Sequence, residues 1–246
     1  MTNGLFDRMQ AVFQRISLTA GRRCLICGKR ITQPDSLFPE LCPTCRAELY
    51  PRTGGYCPQC GICYGSESDD VYVCSACRHS PRPWTSVGFF SSYSGLLRTV
   101  LTDFKFKARL PLVTLLVKML EQGFAVHEMQ PADVIVPVPL HVKRLQERGF
   151  NQSQEMARRL VPILAADLDA RSCIRTRNTR AQRGLEKKAR HSNLQDAFAV
   201  RGDGLTGKHV LLVDDVMTTG STVATCARAL RRGGARRVDV LVVARA

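Results

Sequence analysis

Residues 210–222 read VLLVDDVMTTGST, and the chain is best understood outward from them. Val210 to Val213 have the length and composition of a strand buried on both faces. Asp214 and Asp215 follow where that strand is expected to end. Thr218, Thr219, Gly220, Ser221 and Thr222 then supply only small side chains, ahead of a helix whose apolar face is Val223, Cys226, Ala227 and Leu230. A strand, a small-residue turn and a helix N-terminus make an anion site. Backbone N–H groups and the positive end of the helix dipole converge on it, hydroxyls add donors, and Gly220 lets the backbone come close. Two carboxylates cannot favour a phosphate, so they are expected to meet either sugar hydroxyls or a magnesium ion. A Walker A loop is excluded, because no Gly-Lys-Ser/Thr is present and the acids precede the glycine.

Around this stretch, strands and helices alternate. Val87 to Tyr93 and Asp133 to Pro139 read as strands, the second ended by Pro137 and Pro139. Helices are expected over Leu96–Phe106, Leu112–Phe124 and Ser153–Leu164. After Pro139 come Leu140, a basic run from Arg144 to Arg148, and Gly149-Phe150-Asn151-Gln152. Gly207 turns the chain into the central strand, and Val238 to Val243 reads as a closing strand after the Gly233-Gly234 helix stop. This order predicts an α/β fold with a mostly parallel sheet and ligands at the carboxyl ends of its strands.

The N-terminal part differs. Nine of the eleven cysteines lie between Cys24 and Cys77, eight of them in Cys-x2-Cys pairs. Each such knuckle points two thiolates at one tetrahedral ion, and neighbouring knuckles combine as Cys24, Cys27, Cys42, Cys45 and as Cys57, Cys60, Cys74, Cys77. Two zinc ribbons in tandem are therefore expected, with structural metal in both or in one of them and no catalysis of their own. Cys63 is either a bystander or a substitute for Cys60. Of the two lone cysteines, Cys173 reads as a surface or loop thiol and Cys226 as a helix core residue. Ser80-Pro81-Arg82-Pro83 reads as a linker. The expected organisation is an amphipathic helix over 1–20, a small double zinc ribbon over 21–80, and the α/β domain over 81–246.

No apolar run reaches the ~18 residues a membrane span needs, and charges interrupt the apolar residues at the N-terminus, so a cytosolic location is expected. The formal net charge of +15 is uneven. Residues 1–90 carry 10 Lys/Arg against 7 Asp/Glu, whereas residues 91–246 carry 26 against 14. That surplus suits a polyphosphate or a nucleic acid, or is a solvated surface. Residues 171–190 hold eight Lys/Arg and one acid, Glu186, and read as a basic loop or a solvated hairpin. His79, His127, His141, His191 and His209 have neither metal nor triad spacing.

The 210–222 stretch closely resembles the binding motif for phosphoribosyl pyrophosphate (PRPP) of type I phosphoribosyltransferases. That resemblance implies that Asp214 and Asp215 hold the ribose 2′ and 3′ hydroxyls and that Thr218 to Thr222 wrap the 5′-phosphate. The whole chain resembles the ComF family, which includes the GntX-type proteins, through the cysteine pairs, VPVPLHVKRLQERGFNQ at 136–152, Arg175-Thr176-Arg177 with Gln182, Leu185, Arg190, Asn193 and Phe198, and the PRPP motif. The family implies a double zinc ribbon joined to a type I phosphoribosyltransferase domain, and a link to competence and the use of imported DNA beside a DNA helicase.

Phosphoribosyl transfer passes through a cationic ribose while pyrophosphate leaves, so it needs cations, Mg²⁺ and exclusion of water. The turn at Pro139 and Leu140 is the natural pyrophosphate loop, with Arg144 and Arg148 as cationic clamps and Arg148 counted with the acids as catalytic. The 175–193 segment stands where the family has a hood over PRPP, and Lys105 and Lys107 rank behind these. Thr218 replaces the Asp common in purine-salvage transferases, which disfavours hypoxanthine–guanine transfer. Two functions are consistent with this sequence. One is a phosphoribosyltransferase with an unassigned acceptor. The other is an adaptor in DNA uptake or processing that senses PRPP or a nucleotide and binds single-stranded DNA or a helicase.

Overall fold

The computed structural model describes residues 21–176 and 197–246. The helix expected over 1–20 lies outside them. The chain divides after Leu49 into two units.

In the first unit the described residues are organised by Cys24, Cys27, Cys42 and Cys45. Gly28, at φ 74°, lets its N–H reach back to Cys24 O at 2.9 Å, while Cys24 N donates to Lys29 O at 2.7 Å. Of the second pair, Cys42 is the N-cap of helix α1 (Pro43–Ala47) and Cys45 lies on it, with Phe38, Leu41 and Leu49 buried in the same unit.

The second unit opens with a repeat of that knuckle. Gly61, at φ 67°, donates to Cys57 O at 2.7 Å, and Cys57 N donates to Ile62 O at 3.0 Å. Helix α2 (Ser75–His79) carries Cys77. Arg82 is not in a free linker, since its Nε donates to Cys77 Sγ at 3.3 Å.

The sheet follows in the same unit. Strands β1 (Val87–Ser92), β2 (Val134–Pro137), β3 (Asp167–Leu168), β6 (His209–Met217) and β7 (Arg237–Arg245) pair in the order β1-β7-β6-β2-β3, all parallel. Helices α3 (Gly95–Phe106), α4 (Leu112–Val126), α5 (Val142–Arg148), α6 (Gln152–Leu164) and α7 (Ser221–Arg232) fill the crossovers. Val210 to Val213 are fully buried. Val210 and Leu212 pack with the apolar face of α7, and the period of two turns Leu211 and Val213 to the opposite face.

Some expectations change, and some elements gain detail. β6 does not stop before the acids but runs through them to Met217, because β7 continues to pair with it at Asp214↔Val242 and Val216↔Ala244. β7, which closes the chain as expected, lies inside the sheet between β6 and β1, which explains why almost all of its side chains are buried. The basic run 144–148 is helical, started by His141, whose Nδ1 accepts from Lys143 N, and stopped by Gly149 at φ 76°. Strands β4 (Cys173–Arg175) and β5 (Phe198–Val200) pair antiparallel as a separate ribbon, and most of the basic segment between them lies outside the described residues. Cys173 is a core thiol rather than a surface one. It is 3% exposed, with its Sγ 3.4 Å from that of Cys226.

Candidate functional site

The acids of β6 stand at the carboxyl end of the sheet's central strand, where a parallel sheet collects its ligands. Each is held by a side chain from a different helix. Asp215 Oδ1 accepts from Lys105 Nζ of α3 at 2.8 Å, and Asp214 Oδ1 accepts from Ser153 Oγ of α6 at 2.8 Å. Asp214 Oδ1 also accepts from the backbone N–H of Asp215 at 2.9 Å. Burial, followed by the neighbouring charge of Asp215, pushes the Asp214 carboxyl up to about 7, against the opposing pull of Lys105 and Ser153. One acid of the pair is thus poised to give up its proton when a better hydrogen-bond or cation partner arrives.

Beyond the acids comes a turn of small and hydroxyl-bearing residues. Thr218 and Thr219 are exposed, Gly220 is buried at φ 74°, and Ser221 begins α7, a helix of 12 residues. The Thr219 and Ser221 hydroxyls lie 2.8 Å apart and face solvent. Gly220 at the N-cap has no side chain to cap this helix start, and Thr219 Oγ1 accepts from Ser221 N at 3.3 Å, so hydroxyls and N–H groups converge there.

Residues 149–153 explain how Ser153 reaches Asp214. Gly149 ends α5 in the left-handed region, and Asn151 caps α6 by accepting from Ser153 N at 3.1 Å. Asn151 Nδ2 also donates to Val138 O at 3.2 Å, which ties the start of α6 to the loop after β2. Pro139 and Leu140 sit on that loop and, with Val142, Leu145, Ile174 and Arg175, line a cleft of about 280 Å³.

The cations divide. Burial and then the like charge of Arg144 push the Arg175 guanidinium below its ordinary range, while Asp214 pulls the other way, so Arg144, Arg175 and Asp214 share one electrostatic neighbourhood. Arg148 instead donates to Gln152 Oε1 at 3.3 Å and lies over the ring of Phe106, 5.5 Å from its centroid, beside Lys105. Lys107 is engaged by Asp103 at 2.8 Å. Arg177, Gln182, Leu185, Arg190 and Asn193 lie outside the described residues. Sequence reasoning overlooked Ser153 and ranked Lys105 behind the other cations. The Asn-Gln-Ser after Gly149-Phe150 was the available signal for Ser153, whereas nothing local marks Lys105.

Both cysteine tetrads assemble, each with its four sulfurs within 4.8 Å of one another. Four thiolates about 2.3 Å from a tetrahedral zinc would stand about 3.8 Å apart. Cys27 and Cys42 are separated by 3.7 Å, and Cys60 and Cys74 by 3.8 Å. The donor set and its spacing therefore fit zinc. Burial raises the Cys57 thiol, but the backbone N–H groups of Cys74, Cys60 and Gln59 outweigh it and bring Cys57 down to about 7. Cys63 stays outside the tetrad, with Ser92 Oγ 3.4 Å from its sulfur. Among the described residues, no helix is long and apolar enough to cross a membrane.

The family model for the phosphoribosyl transferase domain matches residues 135–246. Over 210 residues the chain is 34% identical to DNA utilization protein YhgH of Escherichia coli (strain K12), spanning 83% of this chain and 90% of that protein. Over 227 residues it is 30% identical to competence protein F of Haemophilus influenzae, spanning 86% and 99%. Competence protein ComFC of Bacillus subtilis (strain 168) is 27% identical over 230 residues, spanning 86% and 89%.

Proposed function

The chain belongs to the ComF family, that of competence protein F and DNA utilization protein YhgH, with a phosphoribosyl transferase domain at its carboxyl end, and we propose that it binds PRPP with Mg²⁺ on residues 214–222. One observation carries this reading. The acid pair is fixed from two helices, by Lys105 and Ser153, directly ahead of a helix start whose N-cap is Gly220 and which is lined with hydroxyls. In the proposed complex Asp214 and Asp215 accept from the ribose 2′ and 3′ hydroxyls, and Thr218 to Thr222 surround the 5′-phosphate with amide and hydroxyl donors. The loop at Pro139 and Leu140 flanks the diphosphate. Arg144 faces it together with Arg175, and Arg148 does so from its seat over Phe106.

Magnesium bound with the diphosphate would offset its charge as a leaving group, and the carboxylate oxygens of Asp214 and Asp215 are the hard donors suited to such an ion. As the ribose becomes cationic, the same two carboxylates stabilise it through its hydroxyls, while the arginines stabilise the departing charge. The acceptor is left open by this geometry. Thr218, where purine-salvage enzymes carry Asp, directs the search away from hypoxanthine and guanine.

Calorimetric titration of the zinc-loaded protein with PRPP, with and without Mg²⁺, tests the reading. Mg²⁺-dependent binding that disappears in Asp214→Asn with Asp215→Asn is expected. Absence of binding by folded, zinc-replete protein would overturn it.

A second reading is favoured by the excess of cations in residues 91–246 together with relatives named for DNA utilization and competence. In it the transferase domain is a PRPP or nucleotide sensor, and the ribbons and basic segment recruit single-stranded DNA or a helicase. Binding of an oligonucleotide whose affinity falls steeply with salt, in protein that does not turn PRPP over, would support it.

A further inference from the structure

Two carbonyl oxygens of the Cys57–Cys60 knuckle are each taken by a side chain that also reaches the turn at 217–220. Cys60 O accepts from Arg245 Nε at 2.7 Å, and Gln59 O accepts from the indole Nε1 of Trp84 at 2.6 Å. At its other end the Arg245 guanidinium donates through Nη1 to Met217 O at 3.1 Å and to Thr218 O. The far edge of the Trp84 ring closes on Gly220, where an added Cβ would stand 3.4 Å from it. Arg245 and Trp84 are 7% and 6% exposed, so bulk water cannot replace either set of contacts. The knuckle also lies flat on this strand end. A Cβ on Gly61 would meet the Phe89 ring at 3.2 Å and Arg245 Cδ at 3.4 Å.

These contacts make the knuckle and the turn one mechanical piece. Arg245 is a buried cation whose charge is solvated by main-chain carbonyls from both. If the knuckle moves, either the guanidinium follows it and releases Met217 and Thr218, or it stays and loses Cys60; each leaves a buried polar group unpaired, at a cost of about 1–3 kcal/mol. Both lines of contact begin on residues bracketed by two of the four cysteine ligands. The position of that backbone therefore depends on whether the tetrad is closed.

We propose that Arg245 and Trp84 are positioning residues through which the second cysteine tetrad sets the Met217–Gly220 turn, so that metal at Cys57, Cys60, Cys74 and Cys77 and a phosphate-bearing ligand on the turn reinforce one another. The ligand half of this coupling rests on the PRPP reading above; the coupling of tetrad to turn does not. The tetrad is in this view part of the phosphate site's support rather than only an appended module. By linkage, a ligand on the turn must tighten the metal by the same factor that the metal tightens the ligand.

Hydrogen exchange on the full-length, zinc-loaded protein tests it. Arg245→Lys keeps the charge, but one ammonium cannot span Cys60 O, Met217 O and Thr218 O as the guanidinium does. The amides of 218–222 are expected to exchange roughly tenfold faster or more in this variant, while zinc content and protection of 210–213 stay as in the parent. If Arg245→Lys does not fold, Trp84→Phe, which keeps a ring but removes both the N–H to Gln59 and the far ring edge on Gly220, is expected to give the same pattern. Unchanged exchange at 218–222 in a folded, zinc-replete variant would overturn the proposal. In the parent, saturating PRPP is also expected to slow zinc release to a chelator roughly fivefold or more, an effect lost in the variant. A parent that does not bind PRPP at all sinks the proposed function, and the exchange result still decides the coupling.

Discussion

Lys105 Nζ lies 2.8 Å from Asp215 Oδ1, across a separation of 110 residues in sequence. Lys105 comes from the last turn of α3, in the crossover that leaves the edge strand β1, yet it neutralises one acid of a pair on the central strand. Removing it in Lys105→Met leaves two neighbouring carboxylates with only Ser153 and a backbone amide to support them. A loss of about 1–3 kcal/mol in urea denaturation at pH 7 is expected, and a smaller loss at pH 5, where protonated Asp214 no longer repels Asp215 although the contact to Asp215 stays lost. A variant as stable as the parent at pH 7 would show that the contact is not made in solution.

Asp214 predicts its own pH dependence. Its carboxyl titrates at about 7 in the folded chain, against about 3.9 when unfolded. Between these values the folded state binds more protons than the unfolded state, so stability falls as pH rises through the window. Asp214→Asn keeps an acceptor for Ser153 Oγ and removes the titration. It is expected to be more stable than the parent at pH 8 by on the order of 2 kcal/mol, the partial exposure of the site screening the rest, and to show a flatter profile above pH 4. Urea midpoints at pH 5 and pH 8 decide this, and a variant weaker than the parent at pH 8 contradicts it.

Gly220 holds φ 74° at the N-cap of α7. Gly220→Ala would place a methyl at ordinary contact distance from Trp84, so space is not the obstacle. The left-handed backbone is, at about 1–2 kcal/mol. The expected outcome is a modest loss of stability joined to a larger loss of PRPP affinity, because the turn relieves strain by reorienting the amides that face the phosphate. Equal affinity in the variant would remove the turn from the binding site.

The two tetrads predict two zinc equivalents per chain by atomic absorption. Cys74→Ser is expected to leave one, since a three-thiolate site with a hydroxyl loses most of its affinity. Acid should release both ions as thiolates protonate, and the backbone N–H groups that hold Cys57 near 7 and Cys24 near 6 delay that release to lower pH than an isolated thiol pair would show. Two ions retained in Cys74→Ser would instead implicate Cys63 as the replacement ligand.

Much of this was legible in the chain because the signals are local. A run such as Val210–Val213 can satisfy its backbone and bury both faces only inside a sheet, so the central strand announces itself. Cys-x2-Cys spacing aims two sulfurs at one point whatever surrounds it, and both tetrads assembled as their spacing implied. Asp214 and Asp215 were visible for the same reason, as charges interrupting an apolar run.

What remained hidden depends on strand order. Lys105 and Arg245 carry no local mark, and the Asn-Gln-Ser that marks Ser153 does not say which acid it meets; each matters because the fold returns its element to the edge of the same site. The place of β7 in the sheet was not legible, because an apolar strand of its length suits any position in a parallel sheet. Only insertion between β1 and β6 brings its last residues beside Met217 and lets Arg245 reach both the turn and Cys60. The sequence by itself therefore determined which residues could bind phosphate and metal, since that chemistry is written in residue type and short spacing. Tertiary structure decided which cation and which hydroxyl hold the acids, and that one cysteine tetrad abuts the Met217–Gly220 turn, because buried charges and hydrogen bonds pair by proximity in space.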